Sequence, residues 1–247
     1  MGRLVTAVIP ARMGSKRFPA KVMYPYRGRP LLYYVWREIR RARLIDQLVI
    51  ATDNREIRRT AEQFGAKVMM TSARHQTGSD RTWEVVEKVG GEIIVNIQAD
   101  NFGLGHTVLD RVVRRMTQER NIRVATLVQR VEDDNELFDH NLVKVLISGS
   151  SEAIWFSRYP LPYIQHPDNR PRSDQFKFYG HIGVYFFRKA VLKQFAESSR
   201  TLLEKAESLE QLRLLEQGER IRIFKTRQRV VSVDCTDDVK KLAALYN

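Results

Sequence analysis

In the first half of the chain, short apolar runs alternate with stretches whose apolar residues recur at helical spacing. The continuous run 93–95 is typical of a strand that is covered on both faces. Strand, helix and strand in this order favour right-handed βαβ units on a mostly parallel central sheet, and so an α/β fold. The predicted strands are 4–9, 47–52, 67–70 and 92–97, and the predicted helices are 31–43, 55–64, 81–89 and 107–118.

Beyond about residue 120 the pattern changes, and polar connections separate shorter apolar runs. Residues 160–177 are rich in proline and polar side chains, which predicts a long loop or an arm that faces a partner. We therefore expect one domain over 1–247, with a smaller mixed β insertion around 130–190. The predicted strands here are 124–128, 143–147, 153–156, 184–187 and 220–225, and the predicted helices are 209–216 and 239–246.

Length and composition narrow the class of protein. The chain has 247 residues, 43% of them hydrophobic and 29% charged, which is ordinary for a globular protein. No apolar run approaches the roughly 20 residues that a membrane-spanning helix needs, so we expect no membrane insertion. Cys235 is the only cysteine, which excludes an intrachain disulfide and, with no export signal, favours a cytoplasmic location.

The net charge of +13 has two interpretations. A basic chain can bind nucleic acid, where counterion release rewards many cationic contacts. It can also bind small polyanions and carry surplus charge on its surface. Here the basic residues are dispersed, and no stretch interleaves them with aromatic residues. The sequence therefore predicts no nucleic-acid partner.

The loop that follows the first predicted strand is basic and contains small residues. Backbone N–H groups near Gly14 and Ser15, together with cationic side chains, suit a triphosphate at the carboxyl end of a parallel strand. The pattern is not a Walker A loop, and an exposed basic turn is the alternative. The cations of the loop are Arg12, Lys16, Arg17 and Lys21.

Two aspartates follow predicted strands far apart in sequence, Asp100 after 92–97 and Asp234 after an apolar segment near the C-terminus. Mg²⁺ prefers one or two carboxylates together with phosphate oxygens and water. The pair therefore predicts a magnesium site if the two segments are neighbours. The alternative for Asp100 is that it caps a turn or a helix.

Several short motifs, in this order and spacing, resemble the CMP-Kdo synthetase (3-deoxy-manno-octulosonate cytidylyltransferase) family over nearly the whole chain. The opening motif is Pro10-Ala11-Arg12-x-x-Ser15-x-Arg17-x-Pro19-x-Lys21, and further matches are Ala51-Thr52-Asp53, His75-Gln76-Thr77-Gly78-Ser79-Asp80-Arg81, Asn96-Ile97-Gln98-Ala99-Asp100, Phe156-Ser157-Arg158, His181-Ile182-Gly183-Val184-Tyr185, Leu209-Glu210-Gln211 and Val233-Asp234.

This resemblance implies a Rossmann-like core of the nucleotide-diphospho-sugar transferase type, and transfer of CMP from CTP to the anomeric hydroxyl of an acidic keto-sugar. It further implies pyrophosphate release, Mg²⁺ as cofactor, a homodimer and a role in lipopolysaccharide or other surface-glycan synthesis. The implied residues are Pro10, Ala11, Arg12, Gly14, Ser15, Lys21, Gln76, Ser79 and Arg81 for the nucleotide; Gln98, Arg158, His181, Tyr185, Glu210 and Gln211 for the sugar; Asp100 and Asp234 for the metal; and Lys21, Arg12 and Asp100 for catalysis.

The chain also departs from the family pattern. Asn101 and Phe102 stand where family members usually have Glu and Pro, and Ala20 and Val22 stand where they have Gly and Pro. The loss of a carboxylate beside the metal site leaves three alternatives open. These are the Kdo enzyme itself, an enzyme for another acidic sugar such as 8-amino-Kdo or a sialic-acid-like sugar, and a catalytically weak or regulatory paralogue. On an apolar strand, His181 also fits an ordinary core histidine.

Overall fold

A computed structural model of the chain describes residues 4–14 and 17–246. Its main feature is a nine-stranded sheet, and two short two-stranded sheets lie beside it. The strands are β1 (Val5–Ala11), β2 (Pro25–Tyr26), β3 (Arg29–Pro30), β4 (Gln47–Thr52), β5 (Lys67–Met70), β6 (Ile93–Ile97), β7 (Asn101–Phe102), β8 (Val124–Arg130), β9 (Lys144–Ile147), β10 (Ala153–Ser157), β11 (Tyr179–Arg188), β12 (Ile221–Thr226) and β13 (Val231–Ser232).

Helices connect most of these strands. They are α1 (Leu31–Ile39), α2 (Arg55–Gln63), α3 (Gly78–Val89), α4 (His106–Gln118), α5 (Asp134–Phe138), α6 (Arg172–Gln175), α7 (Lys189–Glu197), α8 (Leu202–Glu207) and α9 (Gln211–Glu216), with 3₁₀ turns at Lys21–Met23 and Asp237–Ala244. In the part of the chain that the structure describes, no helix is long and apolar enough to cross a membrane.

The sheet is mostly parallel. β1 lies between β4 and β6, β5 follows β4, and all of these pairings are parallel. β11 runs antiparallel between β6 and β8, and β12 pairs in parallel with β8. Buried side chains cover both faces of β1 and β6, as the continuous apolar runs require. The predicted α/β class with a mostly parallel sheet is confirmed.

Local sequence explains where the site-bearing helices begin. Asn54 caps α2 through its side-chain oxygen, which accepts from Glu56 N and Ile57 N. Thr77 and Asp80 form a reciprocal capping box at the start of α3. The predicted helix over 81–89 therefore begins earlier, at Gly78, and its first turn lies at the carboxyl end of the sheet.

β11 is the element on which the predicted boundaries differ most from the structure. The apolar run predicts a strand over 184–187, and the strand on which His181 was placed spans 180–187, whereas β11 begins at Tyr179. Its second half pairs with β6, and its first half extends past the end of β6, where Gly180 pairs with Lys144 of β9. A bulge lies between Ile182 and Tyr185. β9 and β10 of the predicted insertion thus join the main sheet. The division into one domain with an insertion stays a prediction.

Near the C-terminus, three structural details differ from the predicted elements. The predicted helix over 209–216 begins at Gln211, and the preceding α8 ends at Glu207 and is capped by Ser208, which has a left-handed φ of 53°. The predicted helix over 239–246 is a 3₁₀ turn. The helices α5, α6, α7 and α8 are absent from the prediction. Three of them, α5, α6 and α8, have six residues or fewer, whereas α7 has nine and buries Val191, Leu192 and Phe195 at helical spacing, a signal that the prediction did not use.

α8 and α9 are joined by a buried ion pair. Glu204 and Arg213 are 1% and 2% exposed, and their side chains make two contacts of 2.7 Å. Arg213 also lies over the ring of Phe195, 4.0 Å from its centroid. Because both charges are desolvated, each depends on the other for its compensation.

We expect Glu204→Gln to lower the free energy of unfolding by about 3–5 kcal/mol, because Arg213 would keep a buried charge without its carboxylate. Glu62→Gln is the matched control, since Glu62 pairs with Arg58 on the surface, with both side chains about half exposed. The control should change stability by no more than about 1 kcal/mol. Urea unfolding of both variants checks this, and equal effects would show that burial of the pair is unimportant.

Candidate active site

A cavity of about 1000 Å³ opens at the carboxyl ends of β1 and β6. His181, Gly183 and Tyr185 of β11 form part of its wall, around the point where β11 extends past the end of β6. Ligands of parallel sheets bind at such strand ends. The predicted site residues on its wall are Pro10, Ala11, Arg12, Gly14, Lys21, Arg81, Gln98, Asp100, Arg158, His181, Tyr185, Glu210, Gln211 and Asp234.

The loop after β1 forms one side of this cavity. Arg12 and Gly14 are exposed within the cavity, whereas Lys21 is buried in the 3₁₀ turn that follows. Ala20, directly before Lys21, has a left-handed φ of 54°, a conformation that glycine adopts without strain. Ser15 lies outside the described residues. This side of the cavity is therefore cationic, as a triphosphate requires.

The two aspartates expected to bind metal lie on either side of Lys21. The Lys21 ammonium donates to Asp100 Oδ2 at 2.7 Å and to Val233 O at 2.6 Å, and it lies 3.6 Å from Asp234 Oδ1. The pairing of β7 with β13 brings the two segments together, and Val233 N donates to Asp100 O. Asp100 and Asp234 thus lie close together despite a separation of more than 100 residues.

The carboxylates fit a magnesium ion. The Oδ1 atom of Asp100 is buried and has no hydrogen-bond partner among the described residues. No group of three or more His, Cys, Asp or Glu side chains forms a complete metal cage in the same residues. Two carboxylates without a cage are typical of Mg²⁺, which takes its other ligands from substrate phosphates and water.

His181, on β11, is held as a neutral imidazole. Thr126 Oγ1 lies 2.9 Å from His181 Nε2 and donates its one proton to Val184 O at 2.6 Å. Nε2 must then donate to Thr126, which leaves Nδ1 as an acceptor. Burial lowers the pKa of His181 to about 3. The ring is therefore a neutral hydrogen-bonding group, and not a cation, at physiological pH.

Glu210 and Tyr185 form a second titratable pair next to His181. Burial raises the pKa of Glu210, and burial together with the negative charge of Glu210 raises the pKa of Tyr185. Glu210 accepts from Ser79 Oγ at 2.7 Å, and Ser79 in turn accepts from Asn96 Nδ2 at 3.1 Å. Ser79 is thus buried behind the cavity wall, where it supports Glu210.

Unpartnered polar atoms cluster on the same side of the cavity. Among the described residues, Asn96 Oδ1 and Gln211 Nε2 are buried without a hydrogen-bond partner. Buried polar groups are nearly always paired in folded proteins. An acceptor and a donor left unpaired at the cavity therefore indicate that a polar ligand completes them.

Gln98 and Asn101 cover Gly183 of β11. A Cβ atom at Gly183 would lie 2.2 Å from Gln98 Oε1 and 2.8 Å from Asn101 Nδ2, so only glycine fits there. The Asn101 amide donates to Gly183 O at 3.2 Å, which an ionised glutamate could not do. This departure from the family pattern thus exchanges a negative charge for a hydrogen bond to β11.

Three predicted residues have specific positions around the site. Arg158 donates to Glu207 O and His140 O at the rim. Arg81 lines the cavity, but its guanidinium bonds Thr71 and lies 3.2 Å from Asp53. Gln76 is exposed and is not part of the cavity wall, so the structure does not bring it to the site.

Sequence analysis did not identify Asp238 and Asn141 as site residues. Asp238 accepts from Asp234 N and Cys235 N and so fixes the backbone that carries Asp234. Although burial raises its pKa, hydrogen bonds from Lys241 and from these backbone groups lower the pKa of Asp238 to about 2. Asn141 accepts from Arg17 across the cavity mouth. Asp238 could have been found from the sequence, because acidic residues open the last 3₁₀ turn. No sequence pattern points to Asn141.

The neutral state of His181 predicts a pH dependence of stability. The unfolded imidazole has a pKa near 6.5, so between pH 6.5 and about 3 the unfolded chain binds a proton that the folded chain does not. Stability should therefore fall as the pH falls below 6.5. We expect wild type to lose about 1.6 kcal/mol more than His181→Asn between pH 6.5 and 5.

Urea unfolding at pH 7.5, 6.5 and 5 checks this expectation, with His166→Asn, at an exposed histidine, as the control. The control should follow wild type at each pH. Identical pH profiles for wild type and His181→Asn would contradict a buried neutral imidazole.

Comparison with known proteins agrees with the geometry of the site. The family model described as Cytidylyltransferase matches residues 6–221. The chain is 37% identical to a 3-deoxy-manno-octulosonate cytidylyltransferase from Geobacter sulfurreducens, covering 96% of this chain and 97% of that protein. It is 36% identical to one from Bdellovibrio bacteriovorus, covering 98% of each.

Solved structures give the same result. A CMP:2-keto-3-deoxy-manno-octonic acid synthetase complexed with CTP superposes with a TM-score of 0.87 at 31% identity, over 98% of both chains. An inositol-1-phosphate CTP transferase from T. maritima, at 13% identity, covers 96% of this chain and 92% of its own with a TM-score of 0.65, which shows a shared fold alone. The chain is a nucleotidyltransferase that belongs to the cytidylyltransferase family and, within it, to the 3-deoxy-manno-octulosonate cytidylyltransferases.

Proposed function

We propose that this enzyme transfers CMP from CTP to the anomeric hydroxyl of 3-deoxy-manno-octulosonate (Kdo) and releases pyrophosphate. The observation that carries the proposal is the meeting of Lys21, Asp100 and Asp234 beside the basic loop after β1. Relatives named for this reaction, one of them solved with CTP, support it.

Positioning and charge neutralisation account for most of the catalysis, since phosphoryl transfer needs little covalent work from the protein. Arg12 is exposed in the cavity and would bind the outer phosphates of CTP. Lys21 lies deeper and is 10% exposed, so its ammonium acts in a partly dehydrated environment. We assign to Lys21 the stabilisation of charge that develops on the α-phosphate.

We further propose Mg²⁺ as the cofactor, held by Asp100 and Asp234. The unpartnered Oδ1 of Asp100 and the two-carboxylate donor set support this assignment. When bound, the ion supplies charge neutralisation and orientation of phosphate oxygens. Asp238 contributes by holding the backbone of Asp234 in place.

The sugar side provides both hydrogen-bonding groups and a cation. Gln211 Nε2 is an unpaired buried donor, and His181 Nδ1 is an acceptor for a hydroxyl. Arg158 carries the charge that suits the carboxylate of an acidic keto-sugar. Glu210, a buried acceptor, fits a hydroxyl or an amino group. The 8-amino analogue of Kdo is therefore the acceptor to compare with Kdo itself.

We propose a homodimer that forms through the segment 130–190. Aromatic side chains are exposed in this segment, with Tyr159 at 70% and Tyr163 at 78%. Exposed aromatic residues are enriched at protein interfaces. We also propose a cytoplasmic location, with which the single, exposed Cys235 is compatible, and a role in lipopolysaccharide or other surface-glycan synthesis.

The dimer is tested by replacing one exposed aromatic residue. We expect wild type to have twice the 28.8 kDa mass of the chain by light scattering, and Tyr163→Glu to shift it towards the monomer by placing a charge in the interface. Leu202→Glu is the control, since Leu202 is 81% exposed outside the segment. A monomeric wild type would disprove the dimer.

The reaction is tested by pyrophosphate release with CTP and Mg²⁺, comparing Kdo, 8-amino-Kdo and sialic acid. We expect the highest rate with Kdo. Lys21→Met and Asp100→Asn should lower kcat by about 10²–10³-fold, because each removes charge from the reacting centre. Asp237→Asn, at an exposed aspartate that pairs with Lys240, should leave kcat unchanged.

The acceptor panel separates the alternatives. If the rate is highest with 8-amino-Kdo or sialic acid, the proposed reaction stands and the proposed acceptor sugar is wrong. If CTP binds but no acceptor gives pyrophosphate, and Asn101→Glu restores turnover, the chain is a catalytically weak paralogue and the proposed reaction is wrong.

A further inference from the structure

Lys144, at the start of β9, is a fully buried lysine at 0% exposure. Its ammonium donates to two backbone carbonyls, Asp139 O at 2.8 Å and Leu142 O at 2.6 Å. Burial lowers its pKa to about 8. An ammonium is costly to bury, and leucine or methionine would fill the same space. Its hydrogen bonds to the two carbonyls therefore indicate that the ammonium group has a specific structural role.

Both carbonyls belong to residues 139–143, which we call the linker segment. Asp139 and Leu142 lie on either side of its turn, and Leu142 N also donates to Asp139 O at 3.2 Å. Asn141 N donates to Asp139 Oδ1 at 2.8 Å. The ammonium of Lys144 thus joins the two ends of this turn and fixes the direction in which Asn141 points.

The linker segment contacts three parts of the active site. Asn141 Oδ1 accepts from Arg17, which belongs to the basic loop after β1. His140 O accepts from Arg158 on the sugar side at 3.0 Å. Val143 O accepts from His181 N at 2.7 Å. One short segment is therefore bonded to the nucleotide loop and to two residues of the sugar side.

Packing restrains the end of the linker segment at Leu142 and Val143, which are partly buried, whereas residues 139–141 are exposed. Leu142 packs with Val131, Leu137 and Phe178. A Cβ atom at Gly180 of β11 would lie 2.7 Å from Leu142 Cδ1, so the backbone of β11 approaches closely. A change in the turn would consequently reach Arg17 and Arg158 through their bonds to Asn141 and His140.

We propose that Lys144 is a positioning residue: by fixing the linker segment, it sets the nucleotide loop and the sugar side at the separation that CMP transfer needs. Lys144 is not part of the cavity wall, so it acts through Asn141 and His140 and does not touch substrate. The proposal rests on the proposed function, since its kinetic consequence is a loss of CMP transfer.

The first experiment measures amide hydrogen exchange in the absence of substrates. Lys144→Met keeps the apolar stem and removes both hydrogen bonds, so the amides of Asn141 and Leu142 should exchange at least about tenfold faster than in wild type. Val113→Ala is the control, a truncation of a buried α4 residue outside the cavity wall, and it should leave these two amides unchanged. Unchanged exchange in a folded Lys144→Met would overturn the proposal.

The second experiment is a double-mutant cycle on kcat/KM for the acceptor. Lys144→Met and Asn141→Ala should each lower kcat/KM by about tenfold, and the double variant should lose less than the product of the two single losses, because Lys144 acts in part through the contact of Asn141 with Arg17. In the control cycle with Val113→Ala, the factor by which Lys144→Met lowers kcat/KM should be the same with and without the Val113 substitution. Additive losses in the first cycle would show that Lys144 supports stability alone.

Lys144→Gln replaces Lys144→Met in both experiments if the methionine variant does not fold, since its amide retains N–H donors on a shorter stem. It should then show faster exchange at Asn141 and Leu142 and the same non-additivity with Asn141→Ala. The exchange measurement needs no turnover. An inactive wild type would therefore reject the proposed function, while the exchange rates would still test the role of Lys144.

Discussion

The active site depends on one ammonium group placed between two carboxylates. Lys21 donates to Asp100, lies within ion-pair distance of Asp234 and donates to the carbonyl of Val233. Lys21 is buried and could not keep its charge there cheaply without these partners, whereas Asp100 and Asp234 stay partly exposed, at 24% and 23%. The short pairing of β7 with β13 makes the arrangement possible, because it places Val233 and Asp234 beside Asp100.

The two sides of the cavity differ in the charge of their side chains. On the side of the loop after β1, charged groups dominate, and they suit phosphates and a divalent ion. On the side of β11, burial suppresses charge: His181 is held neutral, and the pKa values of Glu210 and Tyr185 are raised. Such a neutral, hydrogen-bonding surface suits the hydroxyl groups of a ligand, as the charged side suits its phosphates. The overall charge of +13 would not have indicated this division.

Sequence analysis succeeded where structure is local. The strands Gln47–Thr52 and Lys67–Met70 match their predicted bounds, because each is an apolar run with polar residues on both sides. The apolar run 184–187 covers only part of β11, because Gly180 and His181 interrupt the pattern, whereas the strand 180–187 on which His181 was placed comes within one residue of its start. β7 and β13 have two residues each, too few for any periodicity, and the meeting of Asp100 with Asp234 depends on them. The bond from Arg17 to Asn141 joins residues 124 positions apart, a contact that no local pattern encodes.

Asn101 shows why the departure from the family pattern could not be interpreted from sequence. The exchange of Glu for Asn suggested a weakened metal site, yet residue 101 helps to bring Asp100 and Asp234 together through its backbone, in the pairing of β7 with β13, and not through its side chain. The Asn101 side chain points instead to Gly183 O on β11, where its amide and Gln98 N both donate to one carbonyl. The Asn101 side chain therefore fastens the turn that carries Asp100 to the strand that carries His181.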